Sequence, residues 1–188
     1  MEAKLVSAAL FATASFLLSP LVSSAEPQAA TVGKKIFLDT GLSQPPGQGC
    51  ITCHSPRAAF ADPRPVSLGA VAGRVGRRNA PTLMYASLIP SRALEEFYDD
   101  EGIQSYLMEG GLFHDGRAGD QFAQVQNPFF DPDEMNLPGP EALAARLRKS
   151  DYADDVRALV GESGWEDDRQ VTFWAYRALV EFLKEPMF

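Results

Sequence analysis

The stretch Cys50-Ile51-Thr52-Cys53-His54 decides how this 188-residue sequence is interpreted. Two cysteines three positions apart, followed at once by a histidine, form the attachment pattern of a c-type haem. Each thiol adds to one vinyl group of the porphyrin, and the next side chain then points at the iron. Cys50 and Cys53 are therefore the predicted covalent attachment sites for one haem c, and His54 is the predicted proximal iron ligand.

Two other interpretations of the cysteine pair are a redox-active dithiol or short disulfide, and half of a zinc site. A thioredoxin-like dithiol is expected beside a βαβ pattern, which the sequence does not show. A zinc site needs further Cys or His ligands, but the sequence holds only two cysteines, and its one other histidine is His114. The motif therefore favours covalent haem over both alternatives.

Residues 1–25 have the pattern of a secretory signal peptide. A short start with one basic residue, Lys4, precedes an apolar run over residues 5–22, and small residues lead to a predicted cleavage site after Ala25. The alternative is a membrane anchor, but Ser19 and Pro20 interrupt the run short of the ~20 residues that a spanning helix needs. We expect export to the periplasm, no membrane contact after cleavage, and one mature domain over residues 26–188.

The formal net charge is −8 at neutral pH. An acidic surface argues against binding to nucleic acid or to anionic membranes, and it is compatible with basic protein partners.

Hydrophobic periodicity and turn residues predict a mainly α, cytochrome c-like haem domain with long ordered loops and few or no strands. Glycine- and proline-rich loops are expected over residues 41–49 and 56–78, and Asn127-Pro128 is expected to end a helix. Asp168 is the predicted N-cap of the last helix, whose apolar stripe is more typical of core than of a cofactor wall. The predicted helices are 27–39, a short one over 79–86, 119–126, 141–149, 152–160 and 169–184.

Five segments, in order, resemble the N-terminal haem domain of the bacterial di-haem cytochrome c peroxidases and their MauG-like relatives. They are Gly33–Asp39, the haem motif with Phe60–Asp62, Arg78–Thr82, Asp115–Ala118 and Glu134–Asn136. Each segment alone is a weak signal, whereas their order over nearly the whole mature chain is a strong one.

The resemblance implies roles for residues outside the haem motif. It places Glu134 and Gln124 on the distal side of a peroxide-reacting haem, as the catalytic acid–base and as a peroxide-orienting amide, with Pro128 between them. A carboxylate beside an apolar haem face can move the peroxide proton, and burial there is expected to raise its pKa. Asn79 matches a calcium ligand that lies between the family's two haem domains.

The sequence departs from the family's pattern at three places. The loop Ser67–Ala70 has no histidine where many of these peroxidases carry a distal ligand, so an open sixth iron position is expected. His114 replaces a tryptophan that lies between the two haems; it is either a packed loop histidine bonded to Asp115, part of a proton or electron path, or a second iron ligand. The family's second haem domain does not follow, so the calcium site is expected to be incomplete.

The resemblance implies an enzyme that reduces hydrogen peroxide with electrons from a small cytochrome or cupredoxin. The alternative is a monohaem electron-transfer module, for which a methionine among Met84, Met108, Met135 and Met187 would fill the sixth iron position. A third interpretation is a truncated fragment of a di-haem protein without activity of its own. A face that would normally contact the second haem domain is expected to favour a dimer or a partner haem domain.

Overall fold

In the computed structural model, residues 25–188 are described, with side chains from Ala29 onward, and they form six α-helices and one β-hairpin. The helices are α1 Ala25–Leu38, α2 Cys50–Cys53, α3 Gln121–Phe130, α4 Pro140–Leu147, α5 Ala153–Val160 and α6 Asp168–Phe182. The strands are β1 Ala93–Tyr98 and β2 Gln104–Glu109, and short 3-10 turns lie at Thr40–Leu42, Pro56–Ala58 and Ala86–Leu88. The expectation of a mostly helical domain is confirmed. Of the predicted signal peptide, residues 1–24 lie outside the described residues, and none of the helices in residues 25–188 is long and apolar enough to cross a membrane.

Helices α1 and α6 form the centre of the core. Val32 and Ile36 of α1 and Val171 and Leu179 of α6 are buried almost completely, and each such side chain contributes about 1.5–3 kcal/mol by leaving water. The two helices approach so closely at Gly33 that a Cβ there would lie 2.0 Å from the Ala178 carbonyl oxygen. The predicted stripe of the last helix is therefore core, as its spacing indicated, although Trp174 is only partly buried.

An aromatic cluster connects this core to the haem-motif loop. Phe60 packs on Phe188 with ring centroids 4.4 Å apart, and Phe37 lies 5.4 Å from Phe182 and 6.2 Å from Phe188. Aromatic pairs at these separations are favourable beyond their buried area. The cluster fixes the position of Phe60, whose backbone contacts the predicted iron ligand.

The prediction that Asn127-Pro128 ends a helix is wrong, because α3 continues to Phe130. Proline lacks an N–H and so loses one helical hydrogen bond. The helix resumes at once, since the Asp131 N–H donates to the Asn127 carbonyl at 3.1 Å, and burial of Phe129 in the core holds the last turn in place.

The short helix predicted over residues 79–86 is also absent. Asn79 does not cap a helix, because its side-chain Nδ2 donates to the carbonyls of Asp62 and Arg64 at 2.9 and 2.5 Å. The backbone stays irregular, with Tyr85 at a φ of +62°, and only the 3-10 turn that follows is helical. At the last helix the N-cap is Asp167, one residue before the predicted Asp168.

Candidate haem and peroxide site

The two thiols of the haem motif lie on the four-residue helix α2. Both cysteines are free thiols, and their removal from water raises the pKa of Cys53 and raises that of Cys50 to about 12. A redox-active dithiol depends on a lowered thiol pKa, so the environment of this pair is opposite to what that alternative needs. Partly buried, neutral, unlinked thiols on one short helix fit covalent attachment of a haem.

The orientation of the His54 imidazole suits an axial iron ligand. Its Nδ1 is 2.9 Å from the Phe60 carbonyl oxygen, and burial lowers the pKa of the ring. An Nδ1–H that donates to this carbonyl would let Nε2 bind iron, which is the usual arrangement of a metal-bound histidine. The Pro81 carbonyl is a second hydrogen-bond partner of the ring in this structure. The donor set of Cys50, Cys53 and His54 therefore fits a haem.

An ion pair between the buried Asp62 and the partly exposed Arg64 holds the loop that carries the Phe60 carbonyl. The Asp62 side chain is fully buried, and Arg64 donates to it through Nε at 2.8 Å and Nη2 at 2.6 Å. The same Nη2 donates to the Thr52 carbonyl of α2 at 3.1 Å. The guanidinium lowers the pKa of Asp62 to about 2. Sequence reasoning did not single out this clamp, although Asp62 belongs to one of the segments that carried the resemblance.

Glu134 lies on the loop after α3, half-buried and within electrostatic reach of the haem motif. Its charge raises the pKa of both thiols, Cys50 and Cys53. Burial first, and then the neighbouring Asp131 and Asp133, raise the pKa of Glu134 itself, while Arg117 lowers it. The structure thus places the predicted catalytic carboxylate where its charge acts on the haem-motif thiols and where its own pKa is raised.

The loop Ser67–Ala70 packs directly on the Glu134 loop. The Ala70 N–H donates to the Glu134 carbonyl at 2.7 Å, and a Cβ at Gly69 would lie 2.6 Å from the Asp133 carbonyl oxygen. The loop therefore packs beside Glu134. Because the Ala70 side chain has no atom that can bind iron, that position supplies no axial ligand.

Gln124 is half-buried on α3, and its connection to the site runs through the backbone of that helix. One turn later the Pro128 carbonyl accepts from the Met135 N–H at 3.1 Å, and the Phe129 carbonyl accepts from Leu137 at 2.8 Å. These bonds fix α3 against the Glu134 loop. The orienting role of Gln124 stays a prediction.

His114 and Asn79 meet at the edge of the site. The exposed His114 bonds through Nε2 to the Asn79 carbonyl at 2.9 Å, rather than to Asp115, which pairs with Arg117 and Arg78. The Asn79 side chain is bonded to the Asp62–Arg64 loop. Among the residues that the structure describes, no group of three or more His, Cys, Asp or Glu side chains has the arrangement of a metal site, and the calcium role of Asn79 stays a prediction.

A family model described as di-haem cytochrome c peroxidase matches residues 27–186. The chain belongs to the di-haem cytochrome c peroxidase family. It is 38% identical over 160 residues to the methylamine utilization protein MauG of Paracoccus denitrificans, an alignment that covers 81% of this chain and 39% of that protein. It is 29% identical over 138 residues to the cytochrome c551 peroxidase of Pseudomonas aeruginosa, covering 73% of this chain and 34% of the relative.

Solved structures of the family share the fold. The diheme peroxidase BthA of Burkholderia thailandensis, as its Y463M variant, superposes with a TM-score of 0.76 at 33% identity over 84% of this chain and 39% of that one. The unsubstituted BthA gives a TM-score of 0.71. The chain therefore spans about two fifths of the length of the relatives that it matches.

Proposed function

We propose that this chain is a periplasmic c-type haem peroxidase domain that reduces hydrogen peroxide to water with electrons from a small redox protein. Membership of the peroxidase family supports the reaction class. The observation that carries the proposal is the half-buried Glu134, whose loop is hydrogen-bonded to the Ser67–Ala70 loop through the Ala70 N–H and whose charge acts on the thiols of Cys50 and Cys53.

Cys50 and Cys53 would hold one haem c by thioether bonds, and His54 would bind its iron through Nε2. When bound, the haem supplies the iron at which the peroxide O–O bond is broken by two electrons from the donor. With two protons, each hydrogen peroxide molecule then gives two water molecules. The Asp62–Arg64 ion pair connects the loop that carries the Phe60 carbonyl to α2. This connection holds the carbonyl beside His54, so that the imidazole stays oriented.

Glu134 acts as the proton carrier. As a carboxylate it accepts a proton from the incoming peroxide, and as a carboxylic acid it returns that proton to the departing oxygen. Its raised pKa favours the second step, since a carboxyl group with a pKa nearer neutrality is the stronger proton carrier at physiological pH. Gln124 orients the peroxide through its side-chain amide.

The first experiment mixes the purified, haem-loaded ferric chain with one equivalent of hydrogen peroxide and follows its absorption spectrum. We expect a high-spin starting spectrum that changes rapidly, and a rate that falls about 10²–10⁴-fold in Glu134→Gln, the range expected for loss of a general acid–base. Glu141→Gln is the matched control, because Glu141 is an exposed carboxylate in the first turn of α4, and its rate should equal that of the native chain.

A low-spin spectrum that peroxide leaves unchanged would overturn the peroxidase proposal. That result would identify the chain as an electron-transfer module with both axial positions filled. Among the candidate methionines, Met135 is buried in the main hydrophobic core, whereas Met108 and Met187 are exposed.

A further inference from the structure

The β-hairpin of β1 and β2 projects from the domain with both of its faces in water. All six residues of β1 and five of the six in β2 are exposed. A two-stranded hairpin without a covering layer is at best marginally stable in water, and exposed apolar patches of this kind mark interaction surfaces. Among the residues that the structure describes, the hairpin therefore offers an uncovered surface that a partner could contact.

Cross-strand pairing separates the two faces of the hairpin. The pairs Leu94–Met108, Glu96–Tyr106 and Tyr98–Gln104 share one face, which we call the tyrosine face. Its four large apolar side chains, Leu94, Tyr98, Tyr106 and Met108, each have 58–62% of their surface exposed. Tyrosine and methionine are enriched in protein interfaces, so this composition fits a protein partner.

The negative charge of the hairpin indicates that its partner carries positive charge. Residues 93–109 contain six acidic residues and no basic one, in a chain whose whole net charge is −8. The acidic residues are Glu95, Glu96, Asp99, Asp100, Glu101 and Glu109. Two copies of the chain that met through this surface would bring twelve carboxylates together, and an anionic membrane would be repelled in the same way.

Glu96 lies within the tyrosine face and is held there by its neighbours. The Tyr98 hydroxyl donates to its Oε1 at 2.7 Å, and the Gln104 amide donates to the same oxygen. These two donors lower the pKa of Glu96, so the carboxylate is ionised at neutral pH. A fixed carboxylate among apolar side chains is complementary to a lysine or arginine that is itself surrounded by apolar surface.

The base of the hairpin is joined to the haem-side loops. The Gly111 N–H donates to the Pro90 carbonyl at 3.0 Å, and Arg92 donates through its backbone to Gly119 at 2.7 Å. The segment that follows β2 carries His114, which bonds to the Asn79 carbonyl. A partner on the hairpin would therefore lie beside the loops that hold the predicted haem ligand.

We propose that the tyrosine face is the docking surface for the basic redox protein that supplies electrons, an assignment that rests on the proposed function. The partner's apolar contact area, ringed by lysines or arginines, covers Leu94, Tyr106 and Met108. One of its cations pairs with Glu96, while the acidic turn at residues 99–101 attracts the surrounding basic residues.

The test measures binding without electron transfer. The probe is a strongly basic monohaem cytochrome c in its ferric form, titrated by calorimetry against the haem-loaded chain at low ionic strength. We expect about tenfold weaker binding for Glu96→Gln, which keeps the acceptor for Tyr98 and Gln104 but removes the charge. The double variant Asp100→Asn/Glu101→Gln should also weaken binding of the cytochrome. Both residues lie in the turn, outside the paired strands. Glu166→Gln, an exposed carboxylate after α5, makes the same charge change as Glu96→Gln and should have no effect.

Several outcomes would overturn the docking proposal. One is equal binding by the native chain and both hairpin variants. Another is a loss in Glu166→Gln as large as in Glu96→Gln, which would mean that only net charge matters. A third is a dimer of the free chain in sedimentation that Leu94→Ser dissociates, because a second copy would then cover the face. Failure of the proposed function is distinguishable, since it appears as an absent peroxide reaction while the cytochrome still binds.

Discussion

The acid–base properties of Glu134 are set by its neighbours as well as by its residue type. On a solvated loop the same side chain would be ionised at neutral pH and would therefore have no proton to donate. Burial and the charges of Asp131 and Asp133 raise its pKa, and Arg117 offsets part of that rise. Because a raised pKa shifts ionisation to higher pH, the carboxylate form, which in the proposed mechanism accepts the peroxide proton, accumulates only as pH rises through this raised value.

We therefore expect the rate of the peroxide reaction to increase with pH through the raised pKa of Glu134 and to level off above it. Asp131→Asn removes a negative neighbour, lowers the pKa of Glu134 and should move the inflection to lower pH. Arg117→Gln removes the favourable cation and should move it to higher pH. Stopped-flow rates across a pH series check both directions, and shifts of the same sign in the two variants would contradict the assignment.

At the scale of single elements, the contact between α1 and α6 depends on one residue without a side chain. The Cβ that any other residue would carry at position 33 meets the Ala178 carbonyl of α6 at 2.0 Å. Backbone atoms cannot rotate away as a side chain can, so the helices would have to separate and lose core contacts.

Gly33→Ala should lower the free energy of unfolding by about 1–3 kcal/mol, the usual cost of overpacking a close-packed core. The measurement is denaturant unfolding followed by circular dichroism. Gly119→Ala is the matched control, because a Cβ there meets nothing within 4 Å. Equal stability of the two variants would show that α1 and α6 can move apart without loss.

At the scale of the whole molecule, most of the regular structure and the predicted haem-binding residues occupy different parts of the chain. The main hydrophobic cluster draws most of its members from α1, α3, α4, α5 and α6. Between residues 43 and 92, the described chain has only the four-residue α2 and two 3-10 turns as helical structure. This part holds the cysteines and His54, and few backbone hydrogen bonds of regular elements stabilise it.

Cys50→Ala/Cys53→Ala, which removes the predicted covalent attachment sites, should leave the helical core folded and loosen residues 43–92. Limited proteolysis with mass spectrometry should then find cleavage in that range at least about tenfold faster than in the haem-loaded native chain, because cleavage follows the population of the locally open form. Fragments that contain α1 and α6 should persist in both proteins. Equally early cleavage within α6 would contradict a core that is independent of the haem.

The sequence by itself determined those features that depend on local spacing. The haem attachment motif is one, since the two thiols and the imidazole need only two intervening residues to reach one porphyrin. The apolar stripe of α6 is another, because helical periodicity reports which face is buried. The stripe was predicted correctly from its periodicity, and the ordered segments from Gly33 to Asn136 pointed to the family that the comparisons confirmed. The attachment of haem at Cys50 and Cys53 stays a prediction.

Only the tertiary structure decided the features that arise from contacts between distant residues. The hairpin was not predicted, because its strands are defined by pairing across the turn rather than by a clear alternation. Pro128 stays inside α3 because core burial of Phe129 outweighs one lost hydrogen bond. Likewise the proximity of Glu134 to Cys50 joins positions 84 residues apart. Local preferences cannot encode such proximity, since its free energy comes from packing that exists only in the folded chain.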